Sequence, residues 1–272
     1  MARVFSWTSH RFDRAAYQSL MQTLIAPPPR AFLSARWANL ILANYAVPAD
    51  VLQPYLPPGV ELDHWQGQTY ASLVGFQFLD TRVLGIRWPT FQNFPEWNLR
   101  IYVKRGEQRG VCFVREFVPQ RLVAWVARAI YNEPYRAARM GMAIDETADT
   151  LRATYTLEYG GRTHTLRATG TTPTNIPGPD SVEHFFKEHS WGFGQTRRGK
   201  LIRYEVNHPE WAVFPVQDYQ IDIDWAALYG PEWVGMNGRT PDSVTFAAGS
   251  DVRVYPKGTL DSGHAHARGS TR

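Results

Sequence analysis

The sequence predicts an α+β fold that is predominantly antiparallel β: a closed or nearly closed barrel-like sheet with a few flanking helices. Three observations carry this. From Arg36 onward, aromatic and β-branched residues alternate with polar ones at period two between Gly and Pro boundaries. Helical periodicity is confined to a few short stretches, and no repeat of about 20 to 50 residues recurs along the chain. With 44% hydrophobic and 14% aromatic residues in 272, the chain can bury a large core, which excludes disordered and fibrous classes. Many strands with few helices are relieved of exposed edges by closure, and the mouth of a barrel is a natural ligand site.

In chain order, Asp13 caps a short helix over 14–25 that Pro27, Pro28 and Pro29 end, so residues 1–30 read as an N-terminal arm. Strands follow at 36–46, 69–79, 97–105 and 110–118. The last two are joined by Gly106-Glu-Gln-Arg-Gly110, a hairpin connection that pairs them antiparallel. Residues 121–131 place Leu122, Val123, Trp125, Val126, Ala129 and Ile130 on one helical face, stopped by Pro134. Strands at 136–143, 150–159 and 163–170 lead to Thr171–Pro179, a long loop within one domain. Asp180 or Ser181 then caps a helix over 182–189, with Glu183 in capping-box position to Asp180. Strands at 200–207, 212–223 and 251–255 complete a domain spanning 31–257, and the Gly, Ser, His and Arg-rich residues 258–272 read as a disordered tail.

Charge is carried unevenly. The 29 basic residues include only four lysines (Lys104, Lys187, Lys200, Lys257), so arginine sets the net charge of +4. Arginine binds carboxylate and phosphate as a rigid fork and offers no amine nucleophile, which favours anion recognition over lysine chemistry. The sequence pI of ≈ 9.2 admits nucleic-acid binding, but no dense basic run or recognised motif accompanies it, and none is expected. The single cysteine, Cys112, lies in an apolar run and reads as a small buried hydrophobe; it allows no internal disulfide and fits a cytoplasmic protein. No run approaches the ~18 to 20 apolar residues of a spanning helix, so no membrane role is expected.

Nucleophile, dinucleotide and phosphate-loop signatures are absent. There is no Gly-x-Ser-x-Gly elbow, Arg197 replaces the third glycine after Gly192 and Gly194, and Leu201 follows Gly199-Lys200. His184 and His189 are five apart and fall about 140° apart round a helix, so no metal is expected there. No cofactor is called for.

The informative strand is Glu96-Trp-Asn-Leu-Arg-Ile-Tyr-Val-Lys104. Alternation puts Trp97, Leu99, Ile101 and Val103 on one face and Glu96, Asn98, Arg100, Tyr102 and Lys104 on the other. A solvated polar face makes this an ordinary amphipathic strand. Turned inward, Asn98 and Arg100, with Tyr102, could bind a carboxylate while Glu96 orients a water or takes a proton. A second cluster, Arg128, Glu133, Tyr135 and Arg136, lies where the helix ends and a strand begins. His208, before Pro209 at a strand end, is a candidate acid, base or donor.

Several ordered blocks resemble the bacterial DUF2071 family, also called YqjF-like, of the acetoacetate decarboxylase-like superfamily. They are Val47-Pro-Ala-Asp-Val-Leu with Leu56-Pro-Pro-Gly59, Pro95–Val103, Gly110-Val-Cys-Phe113, Ala127–Tyr131 with Pro134–Ala138, Ser181–Phe186 and Tyr204–Trp211. The resemblance implies a β-rich barrel-like fold with an internal, largely polar pocket, in a family without a known activity. The superfamily's decarboxylases use a Schiff-base lysine activated by its neighbour in a Pro-Lys-Lys turn. Here the similar turn reads Pro134-Tyr135-Arg136, so that chemistry is not expected, and of the four lysines only Lys104 is placed to substitute. The expected function is a binding or sensing module for a small anionic or carbonyl, oxo-acid-like molecule, with Asn98, Arg100, Tyr102, Arg128 and Arg136 contacting it. The alternative is a lysine-independent hydration, isomerisation or aldol-type enzyme using Glu96, Tyr135 and His208. Homo-oligomers remain open.

Overall fold

The computed structural model describes residues 30–260. The expected helix over 14–25 and the residues beyond 260 lie outside that range. Fifteen strands form two sheets: β1 (Leu33–Ala46), β2 (Glu61–Leu62), β3 (Tyr70–Val83), β4 (Phe94–Arg105), β5 (Gln108–Val118), β6 (Tyr135–Ala137), β7 (Arg139–Glu146), β8 (Thr150–Tyr159), β9 (Arg162–Thr171), β10 (Trp191–Gln195), β11 (Leu201–Asn207), β12 (Val213–Phe214), β13 (Val216–Asp222), β14 (Ser243–Val254) and β15 (Gly258–Leu260). Helices are few: α1 (Arg121–Tyr131), α2 (Val182–Lys187) and α3 (Trp225–Tyr229), with short helical turns at Ala49–Leu52, Gln53–Tyr55 and Pro231–Met236. Among the described residues no helix is long and apolar enough to cross a membrane.

The large sheet runs β14, β1, β3, β4, β5, β10, β11 and then returns to β14 through Val206 opposite Val254 and Asn207 opposite Arg253. The pairings therefore make a ring, antiparallel at every step except β5 to β10. The second sheet, β13, β9, β8 and β7, is wholly antiparallel. One core cluster fills the space between the sheets, joining Ile41, Leu73, Trp97, Leu99 and Ile101 to Ala153, Tyr155, Leu157 and Leu166. A second occupies the other side of the ring strands and contains Leu40, Leu42, Val74, Phe76, Tyr102, Val111 and Trp211. A bulge at Asn39, whose φ is 54°, changes the parity of β1, which is why Trp37 and Leu40 share a face. Gly249 (φ 82°) lies opposite, where any Cβ would run into the Trp37 carbonyl.

Two expected strands divide between the sheets. Residues 212–223 break at Pro215, which has no N–H for a ladder, so β12 stays with β14 while β13 joins β9. Residues 136–143 break at Ala138, with β6 parallel to β5 and β7 paired to β8. The helix expected over 182–189 stops at Lys187, with Ser181 as its cap: the Ser181 hydroxyl accepts from the His184 N–H. Gly258–Leu260, read as the start of a structureless tail, pair instead with Leu201–Arg203.

Candidate functional site

A cavity of ≈ 480 Å³ opens inside the ring. Its walls are aromatic and aliphatic, with Trp37, Phe76, Phe78 and Trp211 in edge contact. Its floor is polar because β4 alternates. Glu96, Asn98 and Arg100 point into the cavity while Trp97, Leu99 and Ile101 face the second sheet. Pairing extends the floor sideways: Asn98 stands opposite Glu116 on β5, and Glu116 opposite Tyr135 on β6, at strand spacings of roughly 4.8 Å. An irregularity between Leu99 and Arg100 keeps both Glu116 and Phe113 on the cavity side.

Three carboxyl groups meet this floor. Tyr135 donates its hydroxyl to Glu96 Oε2 at 2.9 Å, and Asn98 Nδ2 donates to Glu96 Oε1 at 3.0 Å. Tyr204 donates to Glu133 Oε1 at 3.1 Å, and its ring lies where a side chain at residue 192 would have to be, so Gly192 makes room for it. Glu116 Oε2 has no partner. Burial raises all three above the usual carboxyl range. Glu96 is pushed from 4.5 to about 7, opposed by the bonds from Asn98 and Tyr135. Burial and the neighbouring Glu96 push Glu133 to about 8. Glu116 is raised well above its usual value by burial and then by Glu133 and Glu96. Three carboxyls in one dry cluster cannot all ionise. Among the described residues no group of three or more His, Cys, Asp and Glu is arranged to hold a metal.

The cationic side of the cavity is built differently. Arg100 Nη2 donates to the Phe186 carbonyl at 2.8 Å and Nε to the Tyr102 hydroxyl at 3.4 Å. Lys187, only 2% exposed at the end of α2, donates to Glu188 Oε1 at 2.6 Å. His189 donates from Nε2 to Asp63 Oδ2 at 3.2 Å, where Arg109 Nε also donates at 2.6 Å. Burial opposes the charge on Asp63, yet the bonds from His189 and Arg109 hold it at about 2, while burial lowers His189 to about 4. His189 is therefore neutral at pH 7, with Nδ1 an acceptor. His208 stacks on Trp211 at 4.2 Å and is lowered, by burial first.

The profile of DUF2071, described as an uncharacterized conserved protein, matches residues 34–251. The chain belongs to this family. It is 25% identical over 232 residues, covering 81% of this chain and 89% of the other, to the uncharacterized protein YqjF of Bacillus subtilis (strain 168). Solved structures share the fold at low identity. The enduracididine biosynthesis enzyme MppR with HEPES buffer bound matches with TM-score 0.59 at 14% identity, over 88% of this chain and 90% of its own. Acetoacetate decarboxylase from Legionella pneumophila subsp. pneumophila str. Philadelphia 1 matches with TM-score 0.58 at 15%, over 93% and 98%.

In this DUF2071 chain the expected site residues divide. Glu96, Asn98, Arg100, Tyr135 and His208 all line the cavity. Tyr102 is buried beneath it, bonded to Ser72 Oγ at 2.6 Å and packed on Phe185 and Phe186, so it supports Arg100 without lining the space. Arg128 and Arg136 are corrections. Both are exposed and neither lines the cavity: Arg136 follows Tyr135 on β6 and so takes the opposite face, and Arg128 lies on the exposed side of α1. Lys104 is a correction too. It has the right parity, but at the end of β4 it reaches Glu61 at 3.5 Å, half-exposed, whereas the buried cavity lysine is Lys187. Glu116, Lys187, His189 and Tyr204 were missed. The signal for Glu116 was a charged pair, Arg115-Glu116, set inside the otherwise apolar stretch Val111–Val118. For Lys187 and His189 it was three titratable residues in a row just after Phe185-Phe186.

Proposed function

We propose that this DUF2071 protein is a small-molecule-binding module whose cavity holds a carbonyl or carboxylate group at Arg100 and an apolar body against the aromatic walls, without forming an imine. The observation that carries this is the guanidinium. It is held from behind by Phe186 and Tyr102 at the polar floor of a cavity whose walls are apolar, and its Nη1 is left for a ligand. Lys187 is engaged by Glu188, and an ammonium in an ion pair is a poor nucleophile. MppR, which shares the fold, is known complexed with pyruvate, which is consistent with this class of ligand at the level of fold.

The test is a thermal-shift screen over 2-oxo acids and aryl carboxylic acids, since a bound ligand raises apparent stability by mass action. Arg100→Ala is expected to abolish the shift given by the best acid while changing stability by ~1 kcal/mol or less; binding that survives the substitution refutes the clamp. Borohydride added with pyruvate or acetoacetate should leave the intact mass unchanged, and an adduct mapped to Lys187 would overturn the non-covalent reading.

One observation favours a second reading. The 2.9 Å bond between Tyr135 and Glu96, beside carboxyls that titrate near neutrality, is suited to moving a proton on a bound carbonyl compound, as in hydration, isomerisation or aldol-type chemistry. Tyr135→Phe would then end turnover of a bound oxo acid while leaving its affinity within about threefold.

A further inference from the structure

We propose that the cavity has a second pole, formed by Asn98, Glu116 and Glu133, that receives a hydrogen-bond-donating cationic group of the ligand: an ammonium, amidinium or imidazolium on an apolar body. This rests on the reading of the cavity as a ligand site and adds the charge of what enters it. The geometry is a surplus of acceptors. Asn98 Oδ1, Glu116 Oε2 and His189 Nδ1 are buried without partners on residues that line the cavity, and the residues themselves are 3%, 2% and 8% exposed. No donor on the lining bonds these three atoms. Tyr135 and the Asn98 amide serve Glu96, Tyr204 serves Glu133, Arg100 directs Nη2 to Phe186 and keeps Nη1 for the clamp, Lys187 turns to Glu188, and the protons that the raised carboxyls retain are the ones a cation would replace. Two further unpartnered buried groups line the cavity: Trp37 Nε1, on the aromatic wall among Phe76, Phe78 and Trp211, and the Thr81 hydroxyl near the end of β3.

Leaving a buried acceptor unmatched costs about 1–3 kcal/mol, so three on one lining are a standing cost that a donor-bearing ligand removes. The cross-strand row Asn98, Glu116, Tyr135 puts two of them on adjacent strands, close enough for a single N–H-rich head group to span. The upward shifts of the three carboxyls fit, because the empty site lowers its charge by keeping protons. A cation entering would displace them.

The titratable and charged groups lining the cavity are Glu96 and Arg100 from β4, Glu116 from β5, Glu133 and Tyr135 from the α1–β6 segment, Tyr204 and His208 from the β11 side, and Lys187 and His189 from the end of α2. Both histidines are lowered and Tyr135 is raised, so the carboxyls dominate proton exchange above pH 6.5. An amine should therefore bind more tightly as pH rises, by up to about tenfold per unit for each proton displaced, and an acid more weakly.

Isothermal titration of the whole protein with 2-phenylethylamine and with 3-phenylpropanoate, from pH 6.5 to 8.5 in buffers of different ionisation enthalpy, separates the classes. The expected result is amine affinity that climbs with pH and releases protons. Glu116→Gln and Glu133→Gln should each weaken the amine at least ~tenfold while leaving 3-phenylpropanoate at pH 6.5 within about threefold, and using two variants guards against one that does not fold. Acids that bind while the amine does not, or amine affinity flat or falling with pH, overturn the second pole and leave the binding module intact. If neither probe nor any oxo acid binds, the ligand-site reading falls and takes this inference with it.

Discussion

Trp97, Leu99, Ile101 and Val103 leave β4 toward the four-stranded sheet, where they meet Tyr155, Leu157 and Leu166 and are fully covered. Glu96, Asn98 and Arg100 leave the same strand on its other side, with both Glu96 and Asn98 buried and Arg100 half-buried, but they surround a space and include an atom without a partner. One side is packing that lowers free energy by excluding water; the other keeps carboxyls dry at a cost that packing elsewhere must offset. The difference teaches that period-two alternation marks two faces without saying that the polar one is wet. Here closure of the ring makes it an interior.

The comparison breaks most visibly at Trp97. Its ring is fully buried and its Nε1 donates to the Tyr229 hydroxyl at 2.9 Å. Trp97→Ala should cost ~3–5 kcal/mol in denaturant unfolding, from the cavity and the lost bond together. A loss below ~1 kcal/mol would mean that the two sheets do not depend on this face for their union.

The polar side should respond with the opposite sign. Glu133 titrates at about 8 in the folded chain against 4.5 ordinarily, so between those values the folded state holds a proton that the unfolded chain has released. That contribution is complete below pH 4.5 and is lost as pH rises through about 8, so stability should fall across this window. Glu133→Gln should flatten the fall and leave the variant more stable by roughly 2 kcal/mol at pH 8. A wild-type curve that rises from pH 5 to 8 would show that the carboxyls are ionised and satisfied in the folded state.

These two faces also mark how far the sequence can be read. Alternation located β4, β5, β8 and β9 to within a few residues, because each has a partner strand on both sides, and helical periodicity located α1 to the residue. It missed β10, where Gly192 and Gly194 remove the side chains that signal a strand. Gly192 is needed there because the Tyr204 ring lies across it. Glu96, read from β4 alone, does line the cavity, and so does Glu133 of the second cluster, but Glu116 comes from a neighbouring strand, and cross-strand register is not written in any local pattern. Arg136 was misassigned for the reverse reason: neighbouring residues in a strand point to opposite faces, so a cluster in sequence is not a cluster in space.

The smallest expected effect sharpens where the polar face ends. Lys104 continues the parity of Glu96, Asn98 and Arg100, yet its partner is Glu61 on the short β2, at 3.5 Å, with the lysine side chain partly exposed and the glutamate largely in solvent. An exposed pair of this kind contributes little because water already solvates both charges and salt screens them. Lys104→Ala should therefore change stability by ~0.5 kcal/mol or less and leave the affinity of any acid that depends on Arg100 unaltered. A clear loss of that affinity would extend the cavity past Tyr102 to the end of β4, and would return to Lys104 the role that burial, rather than parity, now gives to Lys187.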